Sequence, residues 1–156
     1  MSVAEREELR QLAYDYARCV DRCDAEGLVA IFTADGLVGA SDPAVPAFVG
    51  EAGLRRMIAQ VDAMFVKTMH NVFNHTFDHF GPGEVHGETT CVASHIVDDG
   101  AGGWKVFDMA LRYANRYRRV GGRWRFAERR LTCEWVETRP VERFNPQGLA
   151  MLEVDA

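Results

Sequence analysis

Between Ala4 and Val20 the apolar side chains Leu9, Leu12, Tyr16, Cys19 and Val20 recur every three or four positions, a spacing that gathers them on one stripe of a helix. Glu5, Glu7 and Glu8 stand in its first turn, where the helix dipole favours negative charge. Asp24 is placed to cap a short second helix, Ala25 to about Phe32, with Leu28, Ile31 and Phe32 facing inward. "TADG" then reads as a turn and "LVGA" as a short strand. "SDPAVPAFVG", interrupted by two prolines, reads as a loop able to roof a cavity. Helical spacing returns in "EAGLRRMIAQVDAMF", whose stripe is Leu54, Ile58, Val61 and Phe65.

From Thr68 to about Thr138 the period becomes two. The candidate strands are "TMHNVFNHTFDHF", "EVHGETTCVASHIVDD", "GWKVFDMALRYANRYRRV" and "RWRFAERRLTCEWVET", separated by the hairpin signals "GPG", "DGAGG" and "GG". Helices followed by a long antiparallel meander predict an α+β domain, with a curved sheet wrapped around the N-terminal helices as a cone with a mouth. The domain is expected over residues 1–138. Residues 139–156 are expected to form a tail that docks on the domain or on an oligomer partner.

Composition narrows the function classes. A chain of 156 residues, 47% hydrophobic and 26% charged, suits one compact domain with a core and space for a pocket. A net charge of -5 argues against nucleic acid or an anionic membrane surface as the main partner, leaving small molecules or proteins. No apolar run approaches the roughly 20 residues of a membrane span, and the acidic start "MSVAEREELR" is unlike a signal peptide, so a cytoplasmic location is expected. The four cysteines read as reduced, buried thiols. His75 and His79, four apart in a strand, would stand roughly 13 Å from each other, too far to share a metal ion. No Gly-rich phosphate loop and no GxSxG is present, so neither a metal nor a cofactor is expected.

Acid–base chemistry by Asp, His and Tyr remains. Asp21 falls at the C-terminal end of the first helix, where the dipole disfavours an anion by a few tenths to about 1 kcal/mol; it is either a solvated corner residue or a group with a task. Strict alternation in the first long strand puts His70, Val72, Asn74 and Thr76 on one face, which reads as a pocket wall. It puts Met69, Phe73, His75, Phe77 and His79 on the other, which reads as a packed surface. Tyr16 shares the helix stripe one and a half turns before Asp21, and either Arg129 or Arg130 could point inward.

The blocks "YARCVDRCDAEGLVAIFTADGLV", "TMHNVFNHTF" and "YANRYRRVGGRWRFAERRLTCEWV" resemble the SnoaL-like branch of the nuclear transport factor 2 (NTF2)-like superfamily, over most of the chain. The resemblance implies a cone-shaped α+β barrel with an apolar pocket, assembled as a homodimer or homotrimer. It also implies cofactor-independent lyase or isomerase chemistry, as in scytalone dehydratase, bile acid 7α-dehydratase and hexachlorocyclohexane dehydrochlorinase. In these enzymes a helix-end Asp pairs with a strand His, positions that match Asp21 and His70; the tyrosine of the bile acid enzyme matches Tyr16. The implied function is dehydration or isomerisation of a small apolar compound, cyclic and polyketide- or steroid-like. His70 would be the base, Asp21 its orienting partner and Tyr16 a donor to oxygen. Asn74, Phe32, Arg129, Leu131, Cys133 and Trp135 are the expected lining. The dehydrochlorinase carries lysine where this chain has Tyr16, which favours loss of water or enolisation over dehalogenation. The final-strand arginine of some dehydratases aligns with Cys133 instead of Arg129 or Arg130. The rival reading is a non-catalytic binding protein of the same fold, or a small subunit similar to the β subunit of ring-hydroxylating dioxygenases.

Overall fold

The computed structural model describes residues 1–143. Helix α1 spans Val3–Asp21 and is opened by a capping box: the Ser2 hydroxyl accepts from the Glu5 backbone N–H at 3.2 Å, while the Ser2 N–H donates to the Glu5 carboxylate at 2.9 Å. It closes in a Schellman turn, the Asp24 N–H bonding the Cys19 carbonyl and the Cys23 N–H that of Val20. Cys23 occupies the left-handed position of that turn with φ 52°, a conformation ordinarily left to glycine. Asp21 is therefore the last helical residue, pinned just before a sharp corner.

Helix α2, Ala25–Ala30, is capped by the Asp24 side chain, which accepts from the Gly27 N–H at 2.8 Å. It ends earlier than its stripe predicts. Phe32 already opens strand β1, Phe32–Ala40, and "TADG" is not a turn but an irregular stretch inside that strand, with a register shift between Phe32 and Leu37. Strand β2, Phe48–Val49, and helix α3, Gly50–Met64, follow. The meander is β3 (Lys67–Gly81), β4 (Glu84–Asp98), β5 (Trp104–Val120) and β6 (Arg123–Val141). The sheet order is β2-β1-β6-β5-β4-β3, with β1 parallel to β6 and every other pairing antiparallel. The final strand runs three residues past the expected boundary at 138, pairing Val141 with Trp104, and the expected docking of the tail falls mainly outside the described residues.

The helices lie on one face of this six-stranded, curved and unclosed sheet. Leu9, Leu28 and Leu54 from the three helices meet Phe32 and Phe126 of β1 and β6, all essentially without solvent contact. Burial of each such side chain is worth about 1.5–3 kcal/mol, so this cluster holds helices to sheet. Regular alternation along β4 turns Thr89, Cys91, Ala93 and His95 inward.

Alternation fails in β3. Val72 pairs with Cys91 but His75 pairs with Thr89, so β3 carries one extra residue there, a β-bulge at Phe73–Asn74. His70 and Val72 face inward before the bulge, and His75 and Phe77 after it. Asn74 is exposed, its N–H 3.2 Å from the Thr90 hydroxyl, and so is not lining. The supposed packed face is open instead: Met69 and Phe73 are 63% and 56% exposed.

Candidate active site

Asp21 comes from the end of α1 and His70 from the fourth position of β3, and helix and strand pack directly against each other. The His70 Nδ1 lies 2.6 Å from Asp21 Oδ1; the other carboxylate oxygen accepts the His70 backbone N–H at 2.9 Å. The Thr68 hydroxyl donates to Oδ1 at 2.8 Å. Burial pushes the Asp21 pKa up, but the hydrogen bonds from His70 and Thr68 outweigh it and the net displacement is below the usual carboxylate value. An ionised Asp21 accepts only, so the hydrogen between the two groups sits on His70 Nδ1, and the lone pair of the neutral ring is the one on Nε2. The dipole penalty at the helix end is met by three donors aimed at one carboxylate.

His70 forms part of the wall of a cavity of about 320 Å³ between α1, α3 and the sheet. Its surface is overwhelmingly apolar: Val20, Met57, Leu111 and Leu131 contribute from four different elements. Val45, Pro46 and Phe48, from the proline-containing loop and β2, also line it. The cavity is partly open to solvent. The polar members gather on the remaining wall: Tyr16, His70, His95 and Tyr113. The Tyr16 ring stands edge-on to His70, centroids 6.4 Å apart, and His95 stands edge-on to His70 at 5.9 Å. The His95 Nδ1 is 3.3 Å from the Phe107 carbonyl, so it carries the hydrogen there and presents Nε2 as an acceptor. Burial, with the neighbouring His70, lowers the His95 pKa.

The expected lining residues separate. Leu131 is in the wall. Phe32 packs under it, tilted against Tyr16 and Phe126, and contributes to the core only. Arg129 is 1% exposed and sits behind the wall, its guanidinium 4.4 Å from the Tyr16 ring and 3.7 Å from that of Tyr113. Arg130 faces the other way, bonding Glu128 and the Ala40 carbonyl. Cys133 is exposed, as is Cys23, so only Cys19 and Cys91 are the buried thiols expected of all four. Trp135 is 66% exposed on the outer face of the sheet. An extra residue in β6 explains the error at Trp135: Leu111 pairs with Cys133 but Ala110 with Trp135, which leaves Glu134 unmatched and moves Trp135 to the outer side; Cys133 lies before that residue, and the register does not account for its exposure.

His95 and Tyr113 went unrecognised in the sequence although a signal for each exists. Period two through "TTCVASHIV" sets His95 beside Ala93 and Cys91, and through "LRYANRY" it sets Tyr113 beside Leu111 and Asn115.

The fold recurs in known structures. A hexachlorocyclohexane dehydrochlorinase (LinA, type 2) is 20% identical, with TM-score 0.80, over 94% of this chain and 96% of that one. A putative scytalone dehydratase from Novosphingobium aromaticivorans is 20% identical, with TM-score 0.76, over 94% and 95%. A putative aromatic ring hydroxylase from the same organism is 19% identical, with TM-score 0.77, over 90% and 96%. At these identities the likeness is one of fold. No curated protein matches the chain. The model of the SnoaL-like domain matches residues 1–130, the three helices and the sheet through the first part of β6, and the chain therefore belongs to the SnoaL-like family of NTF2-like fold.

Proposed function

We propose that the protein is a cofactor-independent lyase of the dehydratase type, acting on a small, mainly apolar cyclic ketone that carries a hydroxyl β to its carbonyl. The observation that carries this reading is the 2.6 Å Asp21–His70 contact in the wall of an apolar cavity open to solvent. At about 320 Å³ the cavity is at the small end of ligand pockets, which favours a one- or two-ring compound over a steroid.

His70 Nε2 takes the proton from the carbon next to the carbonyl, and the electron pair of that C–H bond moves onto the carbonyl oxygen. Asp21 holds the ring in the required tautomer and stabilises the imidazolium. Tyr16 donates a hydrogen bond to the developing enolate oxygen. The enolate then expels the β-hydroxyl, which leaves as water with the proton that His70 acquired. His95 Nε2 accepts a hydrogen bond from that hydroxyl and orients it. A base so held contributes about 10²- to 10⁴-fold to rate. The named activities of the dehydrochlorinase and dehydratase neighbours, both eliminations, agree with this class.

Proton abstraction can be tested apart from elimination by following exchange of the α-hydrogens of β-tetralone in deuterium oxide by mass spectrometry, with formation of cyclohexenone from β-hydroxycyclohexanone as the companion assay. Wild type should accelerate both. If Asp21→Asn and His70→Ala exchange β-tetralone as fast as wild type, the dyad is not the base. Binding of β-tetralone by wild type with no exchange at any pH would favour the non-catalytic binding role instead.

A further inference from the structure

The dyad accounts for the proton and leaves two features of the same wall unused, the second phenol and the buried charge behind it. Tyr113 is as deeply set as Tyr16, and the two rings meet edge-on with centroids 6.0 Å apart. Both line the cavity. A ring needed only for packing here has no use for a hydroxyl: Phe126, on the same guanidinium at 5.1 Å, has none.

Arg129 enters no ion pair among the described residues. Its Nη1 donates to Asn115 Oδ1 at 2.7 Å, and Asn115 is itself fixed by donating to the Thr89 hydroxyl at 2.9 Å and to the Tyr113 carbonyl at 3.2 Å. Its Nε has no partner among the described residues. The cation is thus held against the faces of both phenols, with no carboxylate among the described residues to neutralise it. A buried cation kept in this way favours the arrival of negative charge nearby.

We propose that Tyr16 and Tyr113 together form an oxyanion site for the enolate oxygen of the substrate, with Arg129 as the positioning charge that strengthens both donors. The inference rests on the proposed function in one respect, that proton abstraction by the dyad generates the enolate. Burial raises the pKa of both phenols, that of Tyr113 well above its usual value, so both keep the proton they must donate; Arg129 opposes the rise in each. A donor whose conjugate base is stabilised by a neighbouring cation makes the stronger bond to an oxyanion. The substrate oxygen that gains charge would then sit on the tyrosine side of the cavity and the acidic carbon on the His70 side, which fixes the direction in which a ketone enters.

para-Nitrophenol, whose phenolate absorbs in the visible, tests the site directly, with nitrobenzene as the uncharged control. Wild type is expected to bind the phenolate more tightly than the phenol or nitrobenzene, keeping the visible absorbance at a pH where the free compound has lost it. Tyr113→Phe should weaken phenolate binding about tenfold to a hundredfold and leave nitrobenzene unchanged, and Tyr16→Phe should do the same. Arg129→Met should cut the phenolate preference with nitrobenzene unaffected. Should that variant fail to fold, Asn115→Ala, which removes the acceptor that orients the guanidinium, is the substitute. His70→Ala and Asp21→Asn should retain the preference, so loss of exchange in those variants tests the dyad separately. Equal binding of phenolate and nitrobenzene by wild type, an unchanged ratio in Tyr113→Phe, or a preference lost in His70→Ala but kept in Tyr113→Phe would overturn the proposal.

Discussion

The Asp21–His70 pair and the Arg129–Asn115 pair both abut Tyr16, and the protein treats them in opposite ways. Asp21 is half-buried, opposite in charge to the imidazolium His70 would become, and supplied with three donors. Arg129 is sealed in, faces a neutral amide, and is surrounded by three aromatic rings. In the first arrangement the carboxylate faces a ring nitrogen that it can accept from. The second cannot change its charge at all. In the proposed reaction one group moves a proton and the other supplies a constant field.

The largest expected effect tests the moving half. Asp21→Asn and His70→Ala should lower β-tetralone exchange by about 10²- to 10⁴-fold while the circular dichroism spectrum and oligomeric state stay as in wild type. The fixed half is tested through stability. Arg129→Ala should cost about 3–5 kcal/mol in urea unfolding, since it leaves a void and an unpaired Asn115 carbonyl. Arg129→Met fills the space but leaves the same Asn115 carbonyl unpaired, and should cost less, about 1–3 kcal/mol. Equal losses in the two variants would mean that the charge itself stabilises the fold.

Acid stability gives a third, smaller effect. His75 lies inward after the bulge with neither ring nitrogen hydrogen-bonded among the described residues, and burial together with Arg129 and Arg10 lowers its pKa from 6.5 to about 4. Between those values the unfolded chain binds a proton that the folded chain refuses, so stability should fall as pH drops from 6.5 towards 4 and be fully kept above that window. The loss should be on the order of 1–2 kcal/mol after allowance for partial solvent access, and His75→Phe should remove it. Arg129→Met should shrink it, because part of the shift comes from the guanidinium. The smallest effect concerns the corner that carries Asp21: Cys23→Gly, relieving a positive φ, should raise stability by about 0.5–1 kcal/mol without altering exchange.

The helices and the meander were legible because their periods are long and uninterrupted: Leu9, Leu12, Tyr16 and Val20 on α1 lie where the 3.6-residue repeat sets them. The meeting of Asp21 and His70 was legible for a related reason, one standing at a helix end and the other lying before any irregularity in its strand. The errors cluster where a strand carries an extra residue. Asn74 and His75 lie at or beyond the bulge in β3, and Trp135 beyond that in β6; neither bulge is marked by glycine or proline, so nothing local announces the reversal of faces. Phe32 failed differently, for it does face inward, but at the start of β1 and into the core. Arg129 was offered as one of two neighbours; only the packing of Tyr16 and Tyr113 around it decides between them.

The bulge at Phe73–Asn74 also divides β3 into two stretches under separate control. Upstream, His70 lines the cavity and Thr68 holds its partner Asp21; downstream, Phe77 packs on the core. Because the extra residue absorbs changes in register between them, the upstream stretch can drift in sequence towards a new substrate while the downstream stretch keeps the helices seated. A single-residue deletion at Asn74 would fuse the two stretches, and any change made for chemistry would then have to satisfy the core as well. In evolutionary terms the bulge works as a joint that lets one strand serve two masters.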